Sequence, residues 1–382
     1  MTYARARLYL GISGVGTFVL LAAAFLIWQI PHTILPNPAV DFAAELLRVE
    51  VFLAVAVLLM VPFDWLGGYI LPKLYGKTDQ SPAQFAARWI RGVAIQYLFY
   101  VFCAAMILAT SRIGNQLISL VAIFGLMLLL ILLQSFLAKL LVGTSVTEEP
   151  TRVAPALNHV SDWGYTSPRL RFLNSSDPGF TGGIVGFPGF ETVILPSAWL
   201  DRLSSRQLAI IITGRIEAMA SGSRTRGLVF AFIWILLGIS QATRMPGAGL
   251  NNAAELITTL CGFTLWTFLG LLILPTASRA ACFAIDQRII SSGVSSTELA
   301  DTLKILDGLQ DDEPIRDAWI ETIFHPVPSL NNRVRTEQGS SFTSWHIARN
   351  TLLFSWPCLG LLARVVHCNS GRPDLWALLP TD

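Results

Sequence analysis

Seven runs of apolar residues, most of them long enough to cross a lipid bilayer, dominate the hydrophobic pattern of this chain. The hydrocarbon core of a bilayer is about 30 Å thick, which a helix of about 20 apolar residues crosses. The pattern predicts about seven transmembrane helices: Leu8–Ile30, Val40–Phe63, Gly92–Thr110, Leu117–Val142, Leu228–Ser240, Leu256–Pro275 and Ile347–Val366. Leu8–Ile30 is too long for the apolar part of a signal peptide, and no clear cleavage site follows it, which favours a retained helix.

Two polar regions interrupt the apolar runs. Gly143–Gly227 contains the strand candidates Arg169–Leu173 and Glu191–Leu195, and Ala277–Ser344 contains the helix candidates Ser296–Leu309 and Ile315–Phe324. The predicted fold is therefore mainly α, a polytopic membrane protein with one small α+β domain. Its predicted order is a membrane region (1–142), the first half of the domain (143–227), a membrane hairpin (228–276), the second half (277–344) and a last span with its tail (345–382).

Composition and charge agree with this class. Hydrophobic residues make up 53% of the chain and charged residues 14%, which is far from the composition of a soluble protein. The net charge of +2 gives no reason to expect a nucleic-acid partner, and the five cysteines lack C-x-x-C spacing. The expected partners are the lipid bilayer and membrane proteins or peptides, while the oligomeric state is left open.

Positive charges predict the orientation of the spans. Lysine and arginine are concentrated before the first span, between the second and third, between the fourth and fifth, and after the sixth, which favours a cytoplasmic N-terminus and cytoplasmic polar domain. With seven spans the C-terminus is expected on the opposite side, and a bacterial-type inner membrane is the expected location. Phe63–Asp79, with its aromatics, glycine pair and lysines, suits an interfacial anchor, with a binding role as the alternative.

The stretch Pro196–Gly222 reads as an amphipathic helix with a capping box. Ser204 can accept from the first free amides, and Gln207, three residues later, can reach back to the cap. Leu208, Ile211 and Ile212 then recur at helical spacing. Read alone, this is an ordinary capped helix that precedes a membrane span.

The order of several segments resembles one known family. GGIVGFPGFETVILPSAWLDRLSSRQLAIII, then SRAACFAID (Ser278–Asp286), then HPVPSLNNRV (His325–Val334) follow one another with a predicted membrane hairpin after the first. This order is similar to the membrane zinc metallopeptidases of the HtpX and CAAX-prenyl-endopeptidase type, peptidase family M-48. The resemblance covers about Phe180 to Arg335 and implies a zincin-like domain on the cytoplasmic side, with zinc as the cofactor expected of the family.

At the metal site the resemblance ends. Aligned with the family, Gly214 and Ala218 stand at the two histidines of H-E-x-x-H, Arg215 at the general-base glutamate and Cys282 at the third ligand. A catalytic zinc site needs three protein ligands and a carboxylate that activates water. The sequence therefore predicts no catalytic residue and no bound zinc. A different site built from Cys282, Asp286, His159, His325 or Glu217 is the open alternative.

Arg215 suggests a specific hypothesis. Its guanidinium could take the place of the metal as a structural counter-ion, paired with Asp286 or Glu217. The alternative is an arginine on a solvated helix face. The leading functional interpretation is an inactive metallopeptidase homologue that acts as a scaffold or regulator. An active peptidase with a non-standard metal site and a transporter or channel are the alternatives.

Overall fold

The computed structural model describes residues 1–378 except 40, 115, 144–145, 148–149, 311–312, 314 and 336–342. The chain is mainly helical and separates into two compact units. The first unit comprises Met1–Leu130, Ala231–Gly270 and Thr351–Trp376, and the second unit comprises Ile131–Phe230, Leu271–Asn350 and Ala377–Asp382. Three of the long helices contribute residues to both units, and each unit is assembled from segments far apart in sequence.

Within the described residues, six helices are long and apolar enough to cross a membrane. They are α1 (Tyr3–Ile27), α3 (Phe42–Trp65) with its continuation to Leu74, α5 (Pro82–Ile113), α6 (Gln116–Val142), α10 (Ser223–Ala242) and α11 (Ala253–Ser291). Short α2 (Ile30–Ile34) follows α1. A π-helical turn, Leu66–Ile70, joins α3 to α4 (Leu71–Leu74). The first six predicted spans thus correspond to helices. Val40, the first residue of the second predicted span, lies outside the described residues.

The seventh predicted span is wrong. Ile347–Val366 forms α15 (Ile347–Phe354), a 3-10 turn (Trp356–Cys358) and, after a break, α16 (Leu362–Val365). Pro357 cannot donate a backbone hydrogen bond, and Leu359 has the left-handed φ of 56°, so the helix cannot continue. Almost all side chains from 351 to 366 are buried, which means that the run is apolar because it lies inside protein and not because it faces lipid.

The segment that follows, 367–371, contacts the first helices of the chain. The Arg7 guanidinium, in the first turns of α1, donates to the carbonyl oxygens of Gly67 (2.6 Å) and His367 (2.7 Å). The amide of Gly371 donates to Asp64 Oδ1 at 2.8 Å. Within the first unit, this segment therefore lies at the end where α1 begins and α3 ends, not at the opposite end.

The glycine pair of Phe63–Asp79 is explained by the same contact. A Cβ atom on Gly68 would lie 2.0 Å from the carbonyl oxygen of Gly371, and one on Gly67 would lie 2.7 Å from that of Ser370. No larger side chain fits at either position without moving the backbone opposite. The segment is therefore more than an interfacial anchor, because its glycines allow the close approach of 370–371.

The second unit contains a four-stranded sheet with the order β1-β2-β4-β3. Its strands are β1 (Val146–Thr147), β2 (Leu170–Leu173), β3 (Gly183–Val185) and β4 (Thr192–Pro196). β2 and β4 pair in parallel, and the other two pairs are antiparallel. The two predicted strands thus correspond to β2 and β4.

Seven helices lie around this sheet or follow it. They are α7 (Pro150–Asp162), α8 (Trp199–Arg202), α9 (Ser205–Ala220), α12 (Ser296–Gln310), α13 (Ala318–Phe324), α14 (Leu330–Arg335) and the last part of α11. The core joins Phe172 and Leu195 of the sheet to Ala156 of α7 and to Ala209 and Ile212 of α9. This core places α9 at the centre of the unit.

Candidate functional site

The stretch Pro196–Gly222 forms two helices and not one. β4 ends at Pro196, α8 follows, and Leu203 has an extended backbone that interrupts the helical path. α9 then begins at the predicted capping box, because the Gln207 amide donates to Ser204 Oγ at 3.3 Å and the Ser204 amide donates to Gln207 Oε1 at 2.9 Å. The capping box is confirmed, while the continuous helix is wrong.

α9 is also buried on nearly all sides. Every residue from Leu208 to Thr213 is buried, and so are Arg215, Ile216 and Ala218. A helix that is buried all round is a core element and not an amphipathic surface helix. Its polar side chains therefore need partners within the protein.

The Arg215 side chain is 1% exposed, which excludes the interpretation as part of a solvated face. Its guanidinium donates to the carbonyl oxygen of Thr181 at 3.3 Å, just before β3. Its Cζ atom lies 5.8 Å from the ring centroid of Trp345, a cation–π contact. Arg215 thus connects α9 to the chain that enters β3 and to the segment before α15.

Both carboxylates of the counter-ion hypothesis have partners of their own. Asp286 accepts two hydrogen bonds from Arg333, from Nε at 2.7 Å and from an Nη atom at 2.6 Å, a bidentate pair. Glu217 accepts from the Tyr165 hydroxyl at 2.7 Å and lies 3.7 Å from an Nη atom of Arg288. The structure thus brings Asp286 to Arg333, a residue of the HPVPSLNNRV segment (His325–Val334), and the sequence did not predict this pair.

The Tyr165 hydroxyl is the hydrogen-bond donor to Glu217. Burial of the phenol raises the pKa of Tyr165, and the hydrogen bond to the Glu217 carboxylate raises it further. The hydroxyl therefore stays protonated and donates to the carboxylate. Glu217 is held on the side of α9 as a hydrogen-bond acceptor.

Gly214, at the position expected for the first zinc ligand, packs against α11. A Cβ atom there would lie 3.4 Å from Ile289 Cδ1 and 3.9 Å from Ile285 Cγ2, which is ordinary van der Waals contact. Ala218 is fully buried and has no donor atom. Cys282 is buried, and its thiol lies 3.8 Å from the carbonyl oxygen of Ser278.

The two histidines considered as alternative ligands lie in unrelated surroundings. His159 stacks on Trp163 with 6.2 Å between the ring centroids and lies 4.0 Å from Asp162. Burial lowers the pKa of His325 to about 3, and the nearby positive charges of Arg316 and Arg349 lower it as well. Across the part of the chain that the structure describes, no three histidine, cysteine or acidic side chains are grouped to hold a metal ion.

A small cavity of about 40 Å³ lies where the former site is expected. Gly214, Arg215, Cys282, Arg333 and Trp345 contribute to its wall, and leucines of α12 such as Leu303 contribute to the rest. A water molecule occupies about 30 Å³ of liquid volume, so the cavity has room for roughly one water.

These residues do not fit zinc. Zinc sites are built from cysteine, histidine and carboxylate ligands about 2.0–2.3 Å from the metal, and two of the three expected positions have no donor atom. A guanidinium stays protonated and accepts no hydrogen bond, so Arg215 cannot act as a general base toward water. Arg215 can hold a polar backbone group in place, while Gly214 and Ala218 supply no metal ligand.

Comparison with known proteins supports the fold. The crystal structure of Ste24p from S. mikatae, a CAAX prenyl protease of peptidase family M-48, is similar with a TM-score of 0.67 and 13% sequence identity, over 82% of this chain and 80% of that one. At this identity the similarity shows the fold, that of an integral membrane protein with a metallopeptidase-like architecture. No protein-family model and no curated protein matches the sequence.

Proposed function

We propose that this protein is a membrane pseudopeptidase, which keeps a metallopeptidase-like fold and acts as a scaffold or regulator for membrane proteins or peptides. The observation that carries the proposal is the buried guanidinium of Arg215 at the position of the general base, between Thr181 and Trp345. Gly214, Ala218 and Cys282 stand where the three zinc ligands are expected. The fold similarity to a membrane peptidase supports the architecture, and the residue types at these positions argue against hydrolysis.

The direct test is the metal content and peptidase activity of the full chain purified in nanodiscs. We expect substoichiometric zinc by plasma mass spectrometry and no cleavage of quenched fluorescent peptides, with or without added zinc. The alternative, a peptidase with a non-standard site, predicts stoichiometric zinc, cleavage that a chelator abolishes, and loss of both in Cys282→Ala. That combination would overturn the proposal.

The scaffold role has its own test. Photo-crosslinking amino acids at exposed positions of the second unit, in cells that express the full chain, should trap membrane proteins that remain intact. Recovery of the trapped partners as shortened fragments, absent when a metallopeptidase inhibitor is present, would instead indicate turnover of a substrate.

The proposal includes an orientation in a bacterial-type inner membrane, with the N-terminus and the second unit in the cytoplasm. The support is the distribution of lysine and arginine along the sequence. Asp301→Cys, at an exposed position of α12, should react with a membrane-impermeant maleimide only after the cells are permeabilised. Pro36→Cys, in an exposed loop expected on the opposite side, is the matched control and should react in cells with an intact inner membrane. The reverse pattern would show that the orientation is inverted.

A further inference from the structure

The connection between β3 and β4 has an exposed aromatic tip, Phe187-Pro188-Gly189-Phe190. The Phe190 side chain is 75% exposed, among the most exposed large apolar side chains of the described residues, and Phe187 is half-buried. The Phe190 amide donates to the Phe187 carbonyl at 2.9 Å, which closes a turn. Phe190 and Phe187 thus place two aromatic rings at the end of one short turn.

The tip is held in one conformation by its own residues. Gly186 has a φ of 95°, and a Cβ atom there would lie 2.7 Å from the carbonyl oxygen of Phe190, so the turn requires glycine. Gly189 has a φ of 89°, and its amide donates to Glu191 Oε2 at 2.7 Å. The two phenylalanines are therefore carried on a defined turn.

Arg224 connects this turn to the start of α10. Its guanidinium donates to the Gly186 carbonyl at 2.6 Å and lies 3.4 Å from Glu191 Oε1, while the other oxygen of Glu191 accepts from Gly189. Arg224 is 3% exposed, so the connection is protected from solvent. Arg224 is the second residue of a helix long and apolar enough to cross the membrane.

The exposed apolar surface of α10 begins soon afterwards, at Val229 and Phe230, which are 51% and 37% exposed. Val229 follows Arg224 by five positions in the helix, which corresponds to a rise of about 7.5 Å along the helix axis. The headgroup layer is about 5–8 Å thick on each side of a hydrocarbon core. The residue that binds the base of the tip, Arg224, thus lies about one headgroup layer along α10 from the first exposed apolar residues of that helix.

We propose that the tip 187–190 inserts into the headgroup layer of the bilayer and anchors the β3–β4 connection to the lipid surface. Lipid is the occupant that the structure favours, because the tip is fixed to a membrane-length helix beside the point where its lipid-facing surface begins. Aromatic rings are favoured at the membrane interface. The inference concerns the membrane surface of the second unit, and it stands whether or not the protein hydrolyses peptides.

The test is the depth of a spin label at residue 190 in nanodiscs. The label is introduced by Phe190→Cys in a background with Cys368→Ser, because Cys368 is half-exposed while the other four cysteines are buried. Val229→Cys is the lipid-facing control and Asp301→Cys the water-exposed control. We expect the ratio of oxygen to nickel-chelate accessibility at residue 190 to resemble that at 229 and to exceed that at 301 several-fold.

Two results of the spin-label experiment would overturn the proposal, and a fluorescence experiment tests it independently. A ratio equal to that at residue 301 would show that the tip lies in water. Low accessibility to both reagents would show that protein, for example a second copy of this chain, covers the tip. Phe190→Trp, which retains a ring, gives a second readout with brominated lipids: quenching of the added fluorescence supports insertion, and its absence contradicts it.

Discussion

The two units bury arginine–carboxylate pairs in different ways. In the first unit, Asp64 accepts from Arg364 Nε at 2.9 Å, from the Trp89 indole at 2.9 Å and from the Gly371 amide at 2.8 Å. The Arg364 guanidinium also faces the rings of Trp89 and Trp376. In the second unit, Asp286 accepts two bonds, both from Arg333, whose side chain is 12% exposed compared with 2% for Arg364.

The difference shows what each pair does for its unit. Asp64 and Arg364 are 300 residues apart, and their pair fixes a late segment against helices formed from the beginning of the chain. Asp286 and Arg333 hold α14 against α11 beside the small cavity. When one partner of an ion pair is removed, the charge that remains is more costly if it is more deeply buried. The first pair should therefore be the more costly to break.

The largest effect is expected for Asp64→Ala, which leaves the Arg364 guanidinium buried without its carboxylate. Removing one partner of a buried ion pair costs about 3–5 kcal/mol. We expect a large fall in the melting temperature of the detergent-solubilised protein, or failure to accumulate. Asp64→Ala with Arg364→Met restores charge balance and should recover part of the loss. A melting temperature unchanged by Asp64→Ala alone would show that the pair does not fix the late segment.

Asp286→Asn should cost less, about 2–3 kcal/mol, since the charge-assisted hydrogen bonds are lost while Arg333 keeps partial access to water. Thermal unfolding in detergent measures the effect. Glu217→Gln in α9 is the matched control, and it should cost less because the side chain of its partner Arg288 is 40% exposed. An effect of Asp286→Asn equal to that of Asp64→Ala would remove the distinction between the two pairs.

A third prediction concerns His325. Burial, together with the positive charges of Arg316 and Arg349, keeps its imidazole neutral. Because the folded pKa of His325 is about 3, below its usual value near 6.5, the unfolded chain binds a proton first as the pH falls. Its contribution to stability is unchanged above pH 6.5 and is lost progressively between pH 6.5 and 3. At pH 5 the loss should be about 1–2 kcal/mol.

Melting temperatures of the wild type and His325→Gln between pH 7.5 and 5 measure this contribution. Glutamine cannot take up a proton, so the variant should show a shallower pH dependence than the wild type. Parallel curves for the two proteins would show that His325 is protonated to the same extent in the folded and unfolded states.

The smallest effect is expected at an exposed pair of the second unit. Arg206 Nε lies 2.5 Å from Glu298 Oε1, but the two side chains are 46% and 35% exposed. Exposed pairs contribute about 0–1 kcal/mol and are screened by salt. Arg206→Ala should change the melting temperature little, and less still at high salt. A loss comparable to Asp286→Asn would show that burial does not set the order of these effects.

The sequence predicts local features of this fold well. The capping box of Ser204 and Gln207 and the six long apolar helices depend on residues close together in sequence, and the structure contains them. That Gly214, Ala218 and Cys282 stand at the zinc-ligand positions of the family stays a prediction from the resemblance. Asp64 and Arg364 were missed, although a charged residue inside or beside an apolar run is a signal that could have identified them.

The sequence by itself determined which segments are apolar, where α9 begins and which side chains stand at positions 214, 215, 218 and 282. Only the tertiary structure decided that Ile347–Val366 is buried in protein, since an apolar run has the same composition in a core as in lipid. It also decided that Asp286 binds Arg333 while Arg215 binds the Thr181 carbonyl and faces Trp345. Such partners lie far apart in the chain, and the choice among several carboxylates and arginines depends on packing that local sequence does not encode.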